Sequence, residues 1–245
     1  MNKNSDNIDL EKNDLINPTC FKCDSAIHCA KSKPNKSIGN CPMIISSEIT
    51  KEAKKIYESD EFVKNSTKVA SIVEAQGYIH WPRLKDTIEY AKGMKYTKLG
   101  IASCVGLQKE AEMTAEILEK YAFKVFSVCC KTGAIPKTSV GVPKEFTMIS
   151  KTGYPIGFVT CNPVAQALLL NKAKTDMNII IGLCVGHDIT FTHLSEAPVT
   201  TFIAKDRSNP HNPAAVLYTH YGKSFFEVDL RNQVNTKQHK AHKNL

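Results

Sequence analysis

Asn178-Ile-Ile-Ile-Gly-Leu-Cys-Val-Gly-His-Asp188 is the stretch on which the fold turns. Three consecutive isoleucines, with Leu183 close behind, are apolar on both faces, the pattern of a strand buried between two layers. The run then stops in a glycine-flanked turn that carries Cys184, His187 and Asp188. Ligands of open α/β sheets bind in the crevice beyond the carboxyl ends of the strands. Cys184, His187 and Asp188 are therefore candidate catalytic residues, His187 as general base or metal ligand and Asp188 as its orienting carboxylate. The plainer reading is a core thiol, a loop histidine and a helix N-cap.

Other strands end in the same way. Leu99 to Ser103 is a short apolar strand that stops at Cys104-Val-Gly106. An amphipathic helix over 109–121 follows, then a second strand, Phe123 to Val128, that stops at Cys129-Cys130. This is a βαβ unit, for which a right-handed crossover is expected. Its first turn lacks the glycines of a dinucleotide fingerprint, so no nicotinamide cofactor is inferred. Residues 132–143 hold too many turn formers for regular structure and read as a long loop. Asn162 and Pro163 suit the N-cap and first turn of a helix, which places Cys161 where unpaired amides favour thiolate over thiol. A fourth strand, Val199 to Ile203, leads to Lys205-Asp-Arg207 and a turn at His211-Asn-Pro213. Phe225 to Leu230 is expected to be an edge strand or part of a closing hairpin. The fold class is α/β: a mostly parallel sheet of about four to five strands flanked by helices, with a small N-terminal cysteine-rich metal knuckle.

At 245 residues the chain can bury a sizeable core. It has no apolar run of the roughly 20 residues that cross a bilayer, and no apolar signal segment, so a cytoplasmic protein is expected. The organisation reads as a disordered leader (1–17), a cysteine-rich metal-binding module (18–46), a helical segment (47–95), an α/β domain (96–232) and a basic tail (233–245). Trp81, the single tryptophan, is expected to pack the helical segment onto its neighbours, and Pro82 to open a helix at its first position. The net charge of +8 is spread along the chain, and a solvated basic tail is preferred to a nucleic-acid footprint.

In a reducing compartment nine cysteines point to metal or redox chemistry rather than a disulfide framework. Cys20, Cys23, Cys29 and Cys41 have the spacing C-x2-C-x5-C-x11-C, in which a tight turn offers two thiolates and two later cysteines close a tetrahedron. They are the expected metal ligands, for an iron–sulfur cluster of the 4Fe-4S type or, alternatively, zinc. His28 is a spare imidazole beside them. Cys104, Cys130 and Cys161, with Lys205 and Arg207, are expected to form a second, cofactor-binding site. Neighbouring parallel strands lie about 4.8 Å apart, so thiols at their ends reach one another. Lys131, Lys205 and Arg207 offset an anionic thiolate group there. Strand cysteines also serve as ordinary core filler.

Cys104, a helix, and Phe123 through Cys129-Cys130 with Gly133 resemble half of the cysteine-rich motif of heterodisulfide-reductase-type subunits, which bind iron–sulfur clusters. The terminal C-x-x-C and the second copy are missing. A broader resemblance runs from Cys20 to about Tyr218. Cys20-x-x-Cys23, Cys41-Pro42, Gly182 to Asp188, Ala197-Pro-Val-Thr-Thr201, Lys205-Asp-Arg207 and His211-Asn-Pro213 resemble an uncharacterised family of archaea and anaerobic bacteria, catalogued as metal-binding proteins. That resemblance implies a metal at the N-terminal cysteines and an anaerobe's cytoplasm, and supplies no reaction.

Three functions follow from these residues. The first is a cytoplasmic metal protein whose second site carries redox or Lewis-acid chemistry on a small molecule, with a redox partner protein or small-molecule substrate. The second is a zinc-binding docking module on an α/β domain without catalytic activity. The third is metal-free thiol chemistry, with Cys161 or Cys184 forming a persulfide or thioester.

Overall fold

The computed structural model describes residues 17–23, 27–33 and 40–218. Residues 1–16 of the expected leader, the expected edge strand over 225–230 and the basic tail lie outside the described residues. The chain divides into two compact units, Met1–Lys68 and Val69–Leu245.

In the first unit a 3-10 turn over Cys20–Lys22 is closed by the Cys23 amide donating to the Cys20 carbonyl at 3.0 Å. Cys29 lies in the short helix α1 (Ile27–Ala30), and Cys41 is the N-cap of α2 (Pro42–Ile45). The long helices are α3 (Ser47–Ser59) and α4 (Glu61–Gly77), the second of which continues across the unit boundary. Asp60 separates them: its amide donates to Ile56 at the end of α3, and its carboxylate accepts from the Val63 amide at 3.0 Å. One residue thus ends one helix and caps the next.

The second unit holds helix α5 (Arg83–Gly93) and then the alternating part: β1 (Lys98–Ser103), α6 (Gln108–Lys120), β2 (Lys124–Cys129), α7 (Pro163–Ala173), β3 (Met177–Ile181), α8 (His187–Leu194) and β4 (Val199–Ile203). Pro82 occupies the N-cap of α5 rather than its first turn, because its ψ of 156° is still extended. The four strands are ordered β2-β1-β3-β4, and every neighbouring pair is parallel. The expected mostly parallel α/β sheet is therefore present. The strand order reverses between β1 and β3, which makes their carboxyl ends the switch point where such folds bind ligands.

Burial explains the arrangement. Every residue of β3 is buried, as its isoleucine run requires, and β1 is buried from Leu99 onward. Leu118 of α6, Leu170 of α7 and Phe191 of α8 close over the sheet, and each such side chain contributes roughly 1.5–3 kcal/mol by leaving water. Two buried amide side chains pair across elements. Asn178 donates to the Ser195 hydroxyl and accepts from the Thr175 hydroxyl, both at 2.8 Å. Gln166 on α7 donates to the carbonyls of Ser103 (3.2 Å) and Val128 (2.7 Å), tying β1 to β2 near the ends that carry the site.

Trp81 lines a cavity of about 500 Å³ with Tyr78, Tyr90, Met177 and Val199. Met177 and Val199 start β3 and β4, so this cavity opens at the sheet edge opposite the cysteines.

Candidate functional site

Four cysteines meet beyond the carboxyl ends of the strands. Cys104 follows β1, and its amide extends the ladder by donating to Ile181 at 2.9 Å. Cys130 follows β2 in the same manner, donating to Ser103 at 2.8 Å. Side chains alternate faces along a strand. Cys130 accordingly joins the site, whereas Cys129 lies beside Ala111, Ala115 and Glu119 of α6 in a separate depression. Cys161 immediately precedes Asn162, whose side chain accepts from the Ala165 amide at 3.0 Å and caps α7 as its residue type requires. Cys184 sits between Gly182 (φ +67°) and Gly186 (φ +88°), and its carbonyl accepts from the amides of His187 and Asp188 that open α8.

The thiols form a row. Cys130 lies between Cys104 and Cys161, and Cys161 in turn touches Cys184 and the imidazole of His187. Cations stand along it. Lys205 donates to the Cys104 sulfur at 3.4 Å, Lys131 to Cys161 at 3.6 Å, and Arg207 Nη2 to Cys184 at 2.8 Å. Backbone amides add to this: Gly106 donates to Cys104 at 3.4 Å and Val105 to Cys130 at 3.3 Å. Asp206 fixes the loop between the two cations. Its carboxylate accepts from the amides of Ser208 (2.8 Å) and Asn209 (2.9 Å), leaving Lys205 and Arg207 to reach the sulfurs.

This arrangement pushes the thiols in alternating directions. Donation from Cys130 lowers the Cys104 thiol to about 5, with help from the Gly106 amide and Lys205 and against burial. Cys130, bonded to Cys104 and to Cys161 and buried besides, is driven far up. Cys161 falls well below the ordinary thiol range because Cys130, Cys184 and His187 all bond to it and Lys131 stands close. Cys184 is raised by the Cys161 thiolate despite Arg207. His187 is raised above the usual imidazole value, first by its bond to Cys161 and against burial. The shifts thus alternate along the row, down at Cys104 and Cys161 and up at Cys130 and Cys184.

The expected site residues Cys104, Cys130, Cys161, Cys184, His187, Lys205 and Arg207 are thus brought together. Asp188 is beside them, but its carboxylate accepts from the Ile189 amide, and Nδ1 of His187 is buried with no hydrogen-bond partner among the described residues. His211 accepts from the Asp206 amide through Nδ1 at 3.3 Å and belongs to the loop. The amides of Val105 and Gly106 escaped the sequence reading, because only the fold aims a backbone at a sulfur.

As metal ligands the residues fit in type. Sulfur and imidazole are donors for a soft metal or an iron–sulfur cluster. Among the described residues, however, no three His, Cys, Asp or Glu side chains are grouped to hold a metal ion. Cys20, Cys23, Cys29 and Cys41 are joined by stretches 24–26 and 34–39, which lie outside the described residues. No helix of the described residues is long and apolar enough to cross a membrane.

Residues 41–202 match the model of a protein family described as a protein of unknown function, DUF1847. The chain belongs to the DUF1847 family. It is also 43% identical over 174 residues to Uncharacterized protein MJ0455 of Methanocaldococcus jannaschii, covering 71% of this chain and 86% of that protein. No solved structure matches. The DUF1847 match takes in the whole thiol row with His187 and stops short of Lys205 and Arg207; of the N-terminal cysteines it includes Cys41 alone. The resemblance to an uncharacterised family is thereby placed on DUF1847, and its description names no metal and no reaction.

Proposed function

We propose that the protein is a cytoplasmic thiol–disulfide redox enzyme in which Cys161 is the attacking thiolate and Cys184 the resolving thiol. One observation carries this reading: Cys161 touches both Cys184 and His187, and all three are partly open to solvent, whereas Cys104 and Cys130 are buried. A low-pKa, partly exposed thiolate beside a second thiol is the arrangement that exchange chemistry requires.

The Cys161 thiolate attacks one sulfur of a substrate disulfide. A Cys161–substrate bond forms, the substrate S–S bond breaks, and the departing thiolate takes a proton from the His187 imidazolium. Cys161 no longer carries the charge that held the Cys184 proton in place. Cys184 loses that proton to the second leaving sulfur and attacks the Cys161 sulfur. The products are two substrate thiols and a Cys161–Cys184 disulfide, so the substrate is reduced by two electrons. A dithiol reductant returns the pair to its starting state by the reverse exchange.

Limiting alkylation at neutral pH, followed by peptide mass spectrometry, tests the nucleophile. Cys161 is expected to label well before the exposed Cys20 and Cys29. With a disulfide substrate, Cys184→Ser is expected to stop at a mixed disulfide on Cys161, and Cys161→Ser to yield none. Labelling of Cys161 no faster than Cys20 refutes the proposal.

A second reading gives the same thiols a resident iron–sulfur cluster, or zinc. It is favoured by the donor set, four sulfurs with an imidazole, and by three cations placed to offset their charge. The N-terminal C-x2-C module belongs to the same reading. Metal and acid-labile sulfide analysis of protein purified without oxygen separates the two. Metal lost in Cys161→Ser carries the second reading; metal unchanged by that substitution carries the first.

A further inference from the structure

We infer that the substrate of this site is a small disulfide bearing carboxylate groups. The inference rests on the exchange reading above and adds the charge of the molecule that enters.

Three cations meet three different sulfurs. Lys131, Lys205 and Arg207 stand at 3.6, 3.4 and 2.8 Å from Cys161, Cys104 and Cys184. They come from two separate connections, the one after β2 and the one after β4, so a single helix or charged run does not account for them. The carboxylates close by, Asp188 and Asp206, are occupied with the amides of Ile189, Ser208 and Asn209 and make no bond to a sulfur. Lys131, Lys205 and Arg207 thus set three fixed positive charges along the row against the two carboxylates of Asp188 and Asp206. A catalytic thiolate needs only one such neighbour to stay ionised. Cys161 already has His187 and Lys131 beside it, and Arg207 lies instead on Cys184.

Arg207 is therefore better explained by the ligand than by the cysteine it touches. One nitrogen of its guanidinium is on Cys184 and the rest of the planar fork has no partner among the described residues. Such a fork matches a carboxylate with two parallel hydrogen bonds. A disulfide seated with one sulfur against Cys161 presents the substituents of its leaving half to Arg207 and those of its retained half to Lys131. The chemistry is as before: the substrate S–S bond breaks, the Cys161–S bond forms, and the leaving sulfur departs as a thiol with the proton of His187.

The test uses the reduced full-length protein and three symmetrical disulfides: dianionic 5,5′-dithiobis(2-nitrobenzoate), neutral bis(2-hydroxyethyl) disulfide and dicationic cystamine. Exchange at Cys161 is followed by peptide mass spectrometry, and each rate is divided by the rate of 2-mercaptoethanol with the same disulfide. The normalised rate is expected to favour the anionic disulfide over the cationic one by about tenfold or more at low ionic strength, with the preference shrinking as salt is added. Arg207→Gln is expected to reduce the anionic-to-neutral ratio. Fast exchange at Cys161 with no charge preference and no salt dependence in the wild-type protein overturns the anionic substrate and leaves the exchange reading standing. Slow exchange with all three disulfides overturns both. The salt dependence needs no variant, so misfolding of Arg207→Gln does not blunt the test.

Discussion

Gly182→Ala tests whether the joint between β3 and the Cys184 loop is built as described. Gly182 has φ +67°, and a Cβ there would overlap the Leu107 side chain while also meeting Lys205 Cδ at 3.7 Å. Leu107 is buried and closes the short turn that carries Cys104, so it has little room to yield. The left-handed backbone costs a side-chain-bearing residue about 1–2 kcal/mol. Forcing a methyl into a packed core adds roughly 1–3 kcal/mol. The total is about 2–5 kcal/mol. Gly186 provides the internal control: its φ is +88°, but no atom lies within 4 Å of the added Cβ. Gly186→Ala, at φ +88° and ψ −37°, should lose the backbone share alone, about 1–3 kcal/mol. Urea unfolding of the two variants, followed by far-UV circular dichroism, measures the difference directly. Gly182→Ala should also slow Cys161 alkylation, since Leu107 and Lys205 both border the thiol row. Equal stabilities for the two variants would refute the packing argument at this joint.

Three further outcomes follow from the charge pattern and the core. Thiolate absorbance near 240 nm should show a step with an apparent pKa of about 5 that Cys104→Ser removes and Lys205→Met moves upward. His187 is raised in the folded state by the Cys161 thiolate, so its stabilising contribution is complete below its unfolded pKa and is lost as pH rises through the folded one. His187→Gln should therefore cost more stability at pH 6 than at pH 9 in matched denaturant titrations, and should slow Cys161 alkylation at neutral pH. Asn178→Leu breaks two buried side-chain hydrogen bonds and leaves the hydroxyls of Thr175 and Ser195 without these bonds; a loss of about 2–4 kcal/mol is expected by urea unfolding.

Much of the fold was legible because its signals are local. The Ile179–Ile181 run reads as a doubly buried strand, and Asn162-Pro163 reads as a helix start, since both depend only on neighbouring residue types. The strand ends could be located to within a residue, and this sufficed to name the thiols that meet. What could not be read was relational. Nothing in the sequence says that Lys205 reaches Cys104 or that Arg207 takes Cys184, since those contacts depend on the order β2-β1-β3-β4. Cys129 and Cys130 are adjacent letters that the pleat sends to opposite faces. For Cys20, Cys23, Cys29 and Cys41 the spacing suggests one shared metal, and spacing does not by itself fix where four side chains point. The long loop after β2 carries no periodicity at all, yet its end is pinned where Lys131 donates to the Val159 carbonyl at 2.7 Å.

The hydrogen bond from Lys205 to Cys104 spans 101 positions of sequence. Contacts so distant along the chain form late, after most loop-closure entropy has been spent. Until then each cysteine is an ordinary thiol with a pKa near 8.5 and is mostly protonated at neutral pH. A chain still emerging from the ribosome therefore carries no activated thiolate. Its reactivity switches on once Cys130, His187 and Lys131 have gathered around Cys161, which makes thiol labelling during refolding a clock for assembly of the strand ends.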